Sequence, residues 1–317
     1  MLMTSVLGPV LTAQFARNLT APVSPTEIFP QSEPDVREEL DRDPPSRFTV
    51  IVSISNPSTQ RYLIEMGAIL ARRESGTLIP LSVAKAHVHM DEPQLDVALD
   101  QSQNLLERAR EIAKAFGVEA KPVVRIDDDA AHGIGRLARE RNASLVVMGL
   151  GRTTGLRSRL FGNLIERVLW SSHCPVAVTR LLEDPVKMRR ILVPIKSITP
   201  QAIRVIRFAQ LFADTNQATV TLLHVCDRAT PPPNIAAFET ELQQIVDLGE
   251  IQVNLTIKTV ASDNVPRAIL RNARSFELVI LRSVRRRTVG GLAVSDVTTQ
   301  VLKKLTRSLI LFGEPHS

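Results

Sequence analysis

The stretch VVMGLGRTTGLRSRLFGN, residues 146–163, interleaves Gly149, Gly151, Gly155 and Gly162 with Arg152, Arg157 and Arg159 directly behind an apolar run. Glycines between a strand and a helix let backbone N–H groups approach an anion, because no Cβ blocks the approach and positive φ is free. A helix opening at the end of such a loop adds the positive end of its dipole. Arginine brings planar, bidentate donors suited to phosphate. The chemistry this spacing permits is phosphate binding, although the same pattern fits an ordinary strand-to-helix turn. A second basic run, RSVRRRTVGG with Arg282, Arg285, Arg286 and Arg287, reads either as a grip for phosphates or acidic headgroups or as a solvated loop.

Nothing comparable points to catalysis or to a metal. The histidines (His87, His89, His132, His173, His224 and His316) form no HExxH or related grouping. Cys174 and Cys226 sit in apolar runs without metal-ligand spacing, which reads as buried free thiols. Asp127, Asp128 and Asp129 fall in a strand-to-helix connection, where helix capping and solvation explain them better than acid/base work. No enzyme activity, catalytic cofactor or metal is expected. With 39 basic against 33 acidic residues, the net charge of +6 suits an anionic ligand or a membrane-surface neighbour. Aromatic residues make up only 4% of the chain, with one Trp and one Tyr, so stacking platforms for nucleic acid are scarce and none is expected as a partner.

The elements that must position these residues follow from periodicity. The opening MLMTSVLGPVLTAQFARNL is apolar until Arg17, short of the roughly 20 residues that a membrane span needs. It reads as an amphipathic helix or the end of a longer hydrophobic one, over 1–20. Residues 21–46 carry Pro22, Pro25, Pro30, Pro34, Pro44 and Pro45 among acidic residues, an extended linker. Strand-like runs at 48–54, 77–84, 121–126, 144–149 and 175–180 then alternate with helical patterns at 57–73, 95–116, 131–141 and 161–171. The order repeats after a short joint at 182–188. Strands at 190–195, 219–225, 252–260, 277–283 and 308–312 alternate with helices at 199–213, 235–248, 265–274 and 295–306. IVSISNPSTQ (51–60) aligns without a gap on LVPIKSITPQ (192–201), which marks two homologous domains, 47–181 and 189–317. Each is expected to be an α/β, Rossmann-like, open five-stranded parallel sheet with helices on both faces.

The first domain's ending, VVMGLGRTTGLRSRLFGNLIERVLWSSHCPVAVTR, resembles the universal stress protein family, whose nucleotide-binding members carry Gly-x-x-Gly, nine residues, then Gly-Ser or Gly-Thr before a helix. The resemblance implies AMP or ATP as a bound ligand, with or without magnesium. It assigns the first glycine to Gly149 and the one opening the last helix to Gly162. Arg152 stands at the second glycine position, with Gly151 one place early, and Asn163 replaces the final Ser or Thr. At the end of the first strand the family's Asp, which faces ribose and adenine, falls on Ser55. Val83 matches the position whose backbone meets the adenine edge. The implied site is Ser53, Ile54, Ser55, Val83, Met148, Gly149, Gly151, Arg152, Arg159, Gly162, Asn163 and Leu164. In the second domain Arg282 and Arg285 occupy the glycine positions, Ser295 and Asp296 the Gly-Ser positions, and Lys196 the Asp position. An ATP cradle is not expected there; Lys196, Arg282, Arg285 and Arg286 form a second anion site instead.

TSVLGPVLTAQFARNL is similar to the end of the last transmembrane helix of bacterial and cyanobacterial monovalent cation/proton antiporters, some of which continue into a tandem tail of this kind. That resemblance implies a regulatory tail of a sodium/proton antiporter on the cytoplasmic side of the cell membrane, soluble as a fragment. The antiporter domain of the same polypeptide and a second copy of the chain are the expected partners. Two alternatives remain open. One is an interaction module that binds nothing and dimerises through PVAVTR and SLILF, since edge strands pair readily. The other is a cyclic di-AMP sensor, because Ser53 to Ser55 resembles a serine pair in stress-protein-like domains of potassium sensor kinases.

Overall fold

Val50, Ile51 and Val52 are apolar in succession and all are fully buried, which is what a strand covered by helices on both faces requires. In the computed structural model, which describes residues 48–85, 92–151, 163–248, 253–283, 286–288, 291–293 and 295–314, this strand is β1 (Thr49–Ser53). The first half continues α1 (Pro57–Arg73), β2 (Thr77–Lys85), α2 (Glu92–Ala115), β3 (Val123–Asp127), α3 (Ala130–Glu140), β4 (Leu145–Gly149), α4 (Asn163–Ser171) and β5 (Val176–Arg180). The second half repeats it as β6 (Arg190–Ile195), α5 (Pro200–Asn216), β7 (Thr219–Cys226), α6 (Pro232–Asp247), β8 (Leu255–Ala261), α7 (Val265–Ala273) and β9 (Leu278–Arg282). Two short strands, β10 (Arg286–Thr288) and β11 (Gly291–Ala293), precede α8 (Asp296–Lys304) and β12 (Ser308–Gly313).

Local chemistry sets several boundaries. Asn56 caps α1 by accepting the Ser58 N–H at 2.9 Å, with Pro57 in the first turn, where its missing N–H costs nothing. Thr199 does the same for α5, and that helix stops where Gln217 turns left-handed at φ 51°. It therefore ends at Asn216, beyond the 213 read from the apolar pattern. Asp129 caps α3 through the Ala131 N–H at 3.0 Å, in keeping with the capping role expected of the acidic cluster. The carboxyl of Asp127 sits below its usual range: burial pushes it up, but the Asp129 N–H and the side chain of Asp128 outweigh that.

The strand order β3-β2-β1-β4-β5-β12-β9-β6-β7-β8 places both halves in one ten-stranded sheet. In this sheet all pairings inside each half are parallel, as expected; the seam is β5 against β12, antiparallel, from Val176 opposite Gly313 to Arg180 opposite Leu309. The two separate open sheets of the sequence reading are thus joined. Both seam strands are buried on both faces, and each would otherwise leave a row of backbone donors and acceptors unpaired. PVAVTR and SLILF do pair, but with each other in one chain, so a homodimer must use other surfaces. Around the seam Arg180 donates to the Leu305 carbonyl at 2.6 Å, Leu182 N–H to Ser308 Oγ at 3.0 Å, and Asn216 Nδ2 to the Pro185 carbonyl at 2.8 Å. On one face α1 lies against α5, and a single core cluster includes Leu63, Met66 and Leu70 of the first half with Val205, Phe208 and Phe212 of the second.

The basic run read as a loop contains β10 and β11, an antiparallel pair with Thr288 opposite Gly291. A connection of this length satisfies part of its backbone hydrogen bonding within itself.

Glu277 ties the start of β9 to that of β6, accepting from Arg190 N–H at 2.8 Å, Arg190 Nε at 2.9 Å and Arg189 N–H at 3.3 Å. Burial pushes its carboxyl up, but these donors outweigh it and hold the group below the usual range. A depressed carboxyl stabilises the fold above its ordinary value near 4.3 and loses that contribution as pH falls through the folded one. Glu277→Ala should cost about 1–2 kcal/mol at pH 7, and urea titrations should show the gap closing as pH drops from 5 toward 3.

Candidate functional site

In an open α/β sheet, ligands bind outside the carboxyl ends of the strands where the winding reverses. Each half has such a point: between β1 and β4 in the first, and between β6 and β9 in the second.

At the first, Ser53 closes β1 directly beside Met148 of β4. Ile54 is buried and donates its N–H to the Leu81 carbonyl at 2.9 Å, which fixes the turn that exposes Ser55. Val83, on β2, is half-buried and lies over Gly133, where a Cβ would stand 3.4 Å from its methyls. Gly149 ends β4, and the next N–H, of Leu150, donates to the Thr179 carbonyl at 2.6 Å. These residues converge on one sheet end. Asn163 opens α4 and Leu164 follows it, exposed. Arg152, Arg159 and Gly162 lie outside the described residues.

The glycines here are not demanded by the protein's own packing. Among the described residues, a Cβ on Gly149 would meet only Leu63 Cδ1 at 3.5 Å, an ordinary contact, and one on Gly151 would meet nothing within 4 Å. Neither has a positive φ; among the described glycines that belongs to Gly117.

The second point opens into a cleft of about 800 Å³. Lys196, exposed just past β6, and Arg282, at the end of β9, both line it; Arg285 lies outside the described residues, and Arg286 falls on β10. Arg282 Nη1 donates to Thr199 Oγ1 at 3.0 Å, bridging the two strand ends. The α8 N-terminus is filled by its own groups: Ser295 Oγ accepts the Thr298 N–H at 3.1 Å, and Asp296 puts a carboxylate in the first turn. That leaves little of the helix N-terminus for a phosphate. Sequence reasoning missed Thr199, Thr298 and the apolar wall of this cleft. Their signal was available in the apolar residues that end β6, β7 and β9.

Among the described residues no group of His, Cys, Asp or Glu could hold a metal. Cys174 and Cys226 are free and buried, and burial pushes the Cys174 thiol up, away from reactivity.

Comparison with known proteins completes the picture. The model of the universal stress protein family matches residues 47–180 and again 187–312. The chain belongs to the universal stress protein family. It is a tandem of two such domains, sharing one sheet. Over its full length it is 45% identical to the Na(+)/H(+) antiporter NhaS5 of Synechocystis sp., and it spans 46% of that relative's length. A universal stress protein from Archaeoglobus fulgidus has the same fold, with a TM-score of 0.61 at 17% identity over 84% of this chain and 98% of that one. The cytoplasmic domain of a prokaryotic cation chloride cotransporter does too, with a TM-score of 0.54 at 13% identity over 84% and 96%. No helix among the described residues is long and apolar enough to cross a membrane; the apolar stretch at 1–20 lies outside them.

Proposed function

We propose that this universal stress protein tandem is the regulatory, non-catalytic tail of a sodium/proton antiporter, on the cytoplasmic side of the membrane, and that its first half binds an adenine nucleotide, AMP or ATP. The observation that carries the tail reading is the collinear 45% identity of the whole chain to an antiporter more than twice its length. The recurrence of the fold in the cytoplasmic domain of a cotransporter supports it. Nucleotide binding is supported by the switch-point convergence of Ser53, Ile54, Val83, Met148 and Gly149, and by two glycines that, among the described residues, neither packing nor φ requires. Glycine there would allow close approach of a ligand to the backbone. The phosphates are assigned to 149–163, whose Arg152 and Arg159 supply guanidinium donors and whose Asn163 supplies an amide in place of a hydroxyl. A tail changes transport only if the ligand binds its two states unequally.

Isothermal titration of the full chain with AMP, ADP and ATP tests the site. Saturable binding, weakened more than tenfold by Gly162→Val with unchanged thermal melting, is the expected result. Absence of heat with all three at millimolar concentration would sink the nucleotide reading and leave an interaction module; binding of cyclic di-AMP alone would replace it with a cyclic dinucleotide sensor. For the tail, sodium-driven proton movement in inverted vesicles holding the antiporter with this tail should respond to the nucleotide, and should not with Gly162→Val.

A further inference from the structure

The second half's cleft has a composition that a polyphosphate site would not need. Its walls are apolar, with Ile195, Val205, Val225, Ile269, Leu281 and Val301 reaching in from both strand ends and facing helices, while its basic groups gather at the strand ends. At about 800 Å³ it falls within the range of small-molecule sites, roughly 300–1,000 Å³. Among the described residues its charged lining is two cations, Lys196 and Arg282, against one carboxylate, Asp296. Among the described residues Lys196 has no ion-pair or hydrogen-bond partner, and Arg282 is held by one hydroxyl, which leaves the rest of its fork of donors free. The α8 N-terminus is already capped and carries its own carboxylate.

We propose that this cleft binds an amphipathic monoanion, an apolar body with a single acidic head, of the medium-chain carboxylate class. The head meets Lys196 and Arg282, while the α8 N-terminus beside them, capped by Ser295 and carrying the Asp296 carboxylate, disfavours a chain of phosphates. The tail lies along the apolar wall and releases water from it. The site is separate from the nucleotide reading of the first half and does not rest on it.

The test is calorimetric titration of the full 317-residue chain with hexanoate, octanoate and decanoate. Affinity should rise about fourfold per added methylene, with one decanoate bound per chain, and decyltrimethylammonium should not bind. Lys196→Glu, at an exposed position, and Arg282→Gln should each weaken decanoate at least fivefold with unchanged thermal melting. Val265→Trp, which fills the cleft from the start of α7, should block binding. ATP should not displace decanoate, and Gly162→Val should bind it as the parent does, so this site and the first-half site fail independently. No decanoate binding at millimolar concentration, equal binding by Lys196→Glu, no dependence on chain length, or displacement by ATP would each overturn the proposal.

Discussion

Phe212→Ala is expected to lower the unfolding free energy by about 3–5 kcal/mol and to lower it equally in both halves of the molecule. Among the described residues Phe212 is the largest fully buried side chain, in the C-terminal half of α5, and it belongs to a cluster that runs from α1 of the first half through α5 to the strands of the second. Truncation removes a ring from a close-packed interior that can relax only in part, so the lost transfer energy and the cavity add. The chain carries a natural reporter of the distant half: its one Trp, Trp170, lies on α4 of the first half. If the shared sheet and the α1–α5 contact make one cooperative unit, urea unfolding followed by Trp170 fluorescence and by far-UV circular dichroism coincides in the parent, and both curves shift together in Phe212→Ala. A fluorescence midpoint that stays put while the dichroism midpoint falls would mean that the halves unfold separately.

Ile310→Asp should do more damage, at least 4 kcal/mol, enough to abolish a cooperative transition. Ile310 is fully buried on β12, opposite Thr179 of β5 on one side and Ile280 of β9 on the other. A carboxylate there sits in the middle of ten strands, far from water, and it must either ionise unpaired or take up a proton. Ile310→Val, which removes one methylene, should cost only about 0.5–1.5 kcal/mol. The pair of variants separates loss of volume from burial of charge. An Ile310→Asp chain with a urea midpoint close to that of Ile310→Val would refute the central position of β12. By contrast the ion pair of Arg73 with Asp214, which also bridges the halves, is partly exposed at both ends, and its loss should change stability by about 1 kcal/mol at most.

The alternation of strands and helices was legible because each rests on local terms. Val50 to Val52 have to be buried on both faces whatever their partners, and Asn56-Pro57 or Asp129 begin a helix through bonds to their own next turn. The doubling of the pattern was equally plain, because IVSISNPSTQ and LVPIKSITPQ keep one register of apolar and capping residues. The same locality explains what was missed. The α5 helix runs on to Asn216 because that residue is buried and bound to Pro185 in the other half's connection, a contact no window of sequence contains. The β10–β11 pair depends on backbone bonds that side-chain pattern does not report.

For the candidate sites, spacing placed Gly149 at a strand end, and the family resemblance assigned Ser55, Lys196 and Arg282 to strand ends that periodicity had marked, since the end of a strand is a local event. Which of those ends meet, and around how much space, depends on strand order, and strand order is set by which surfaces the whole chain can bury together. Two features were therefore decided in three dimensions: that β5 and β12 spend their edges on each other, and that an apolar cleft of about 800 Å³ opens at the switch point of the second half. Local propensity and capping act over a few residues and can be read along the chain; the seam comes from contacts between residues more than a hundred positions apart, and the cleft from strands and side chains far apart in sequence such as Arg282 and Thr199.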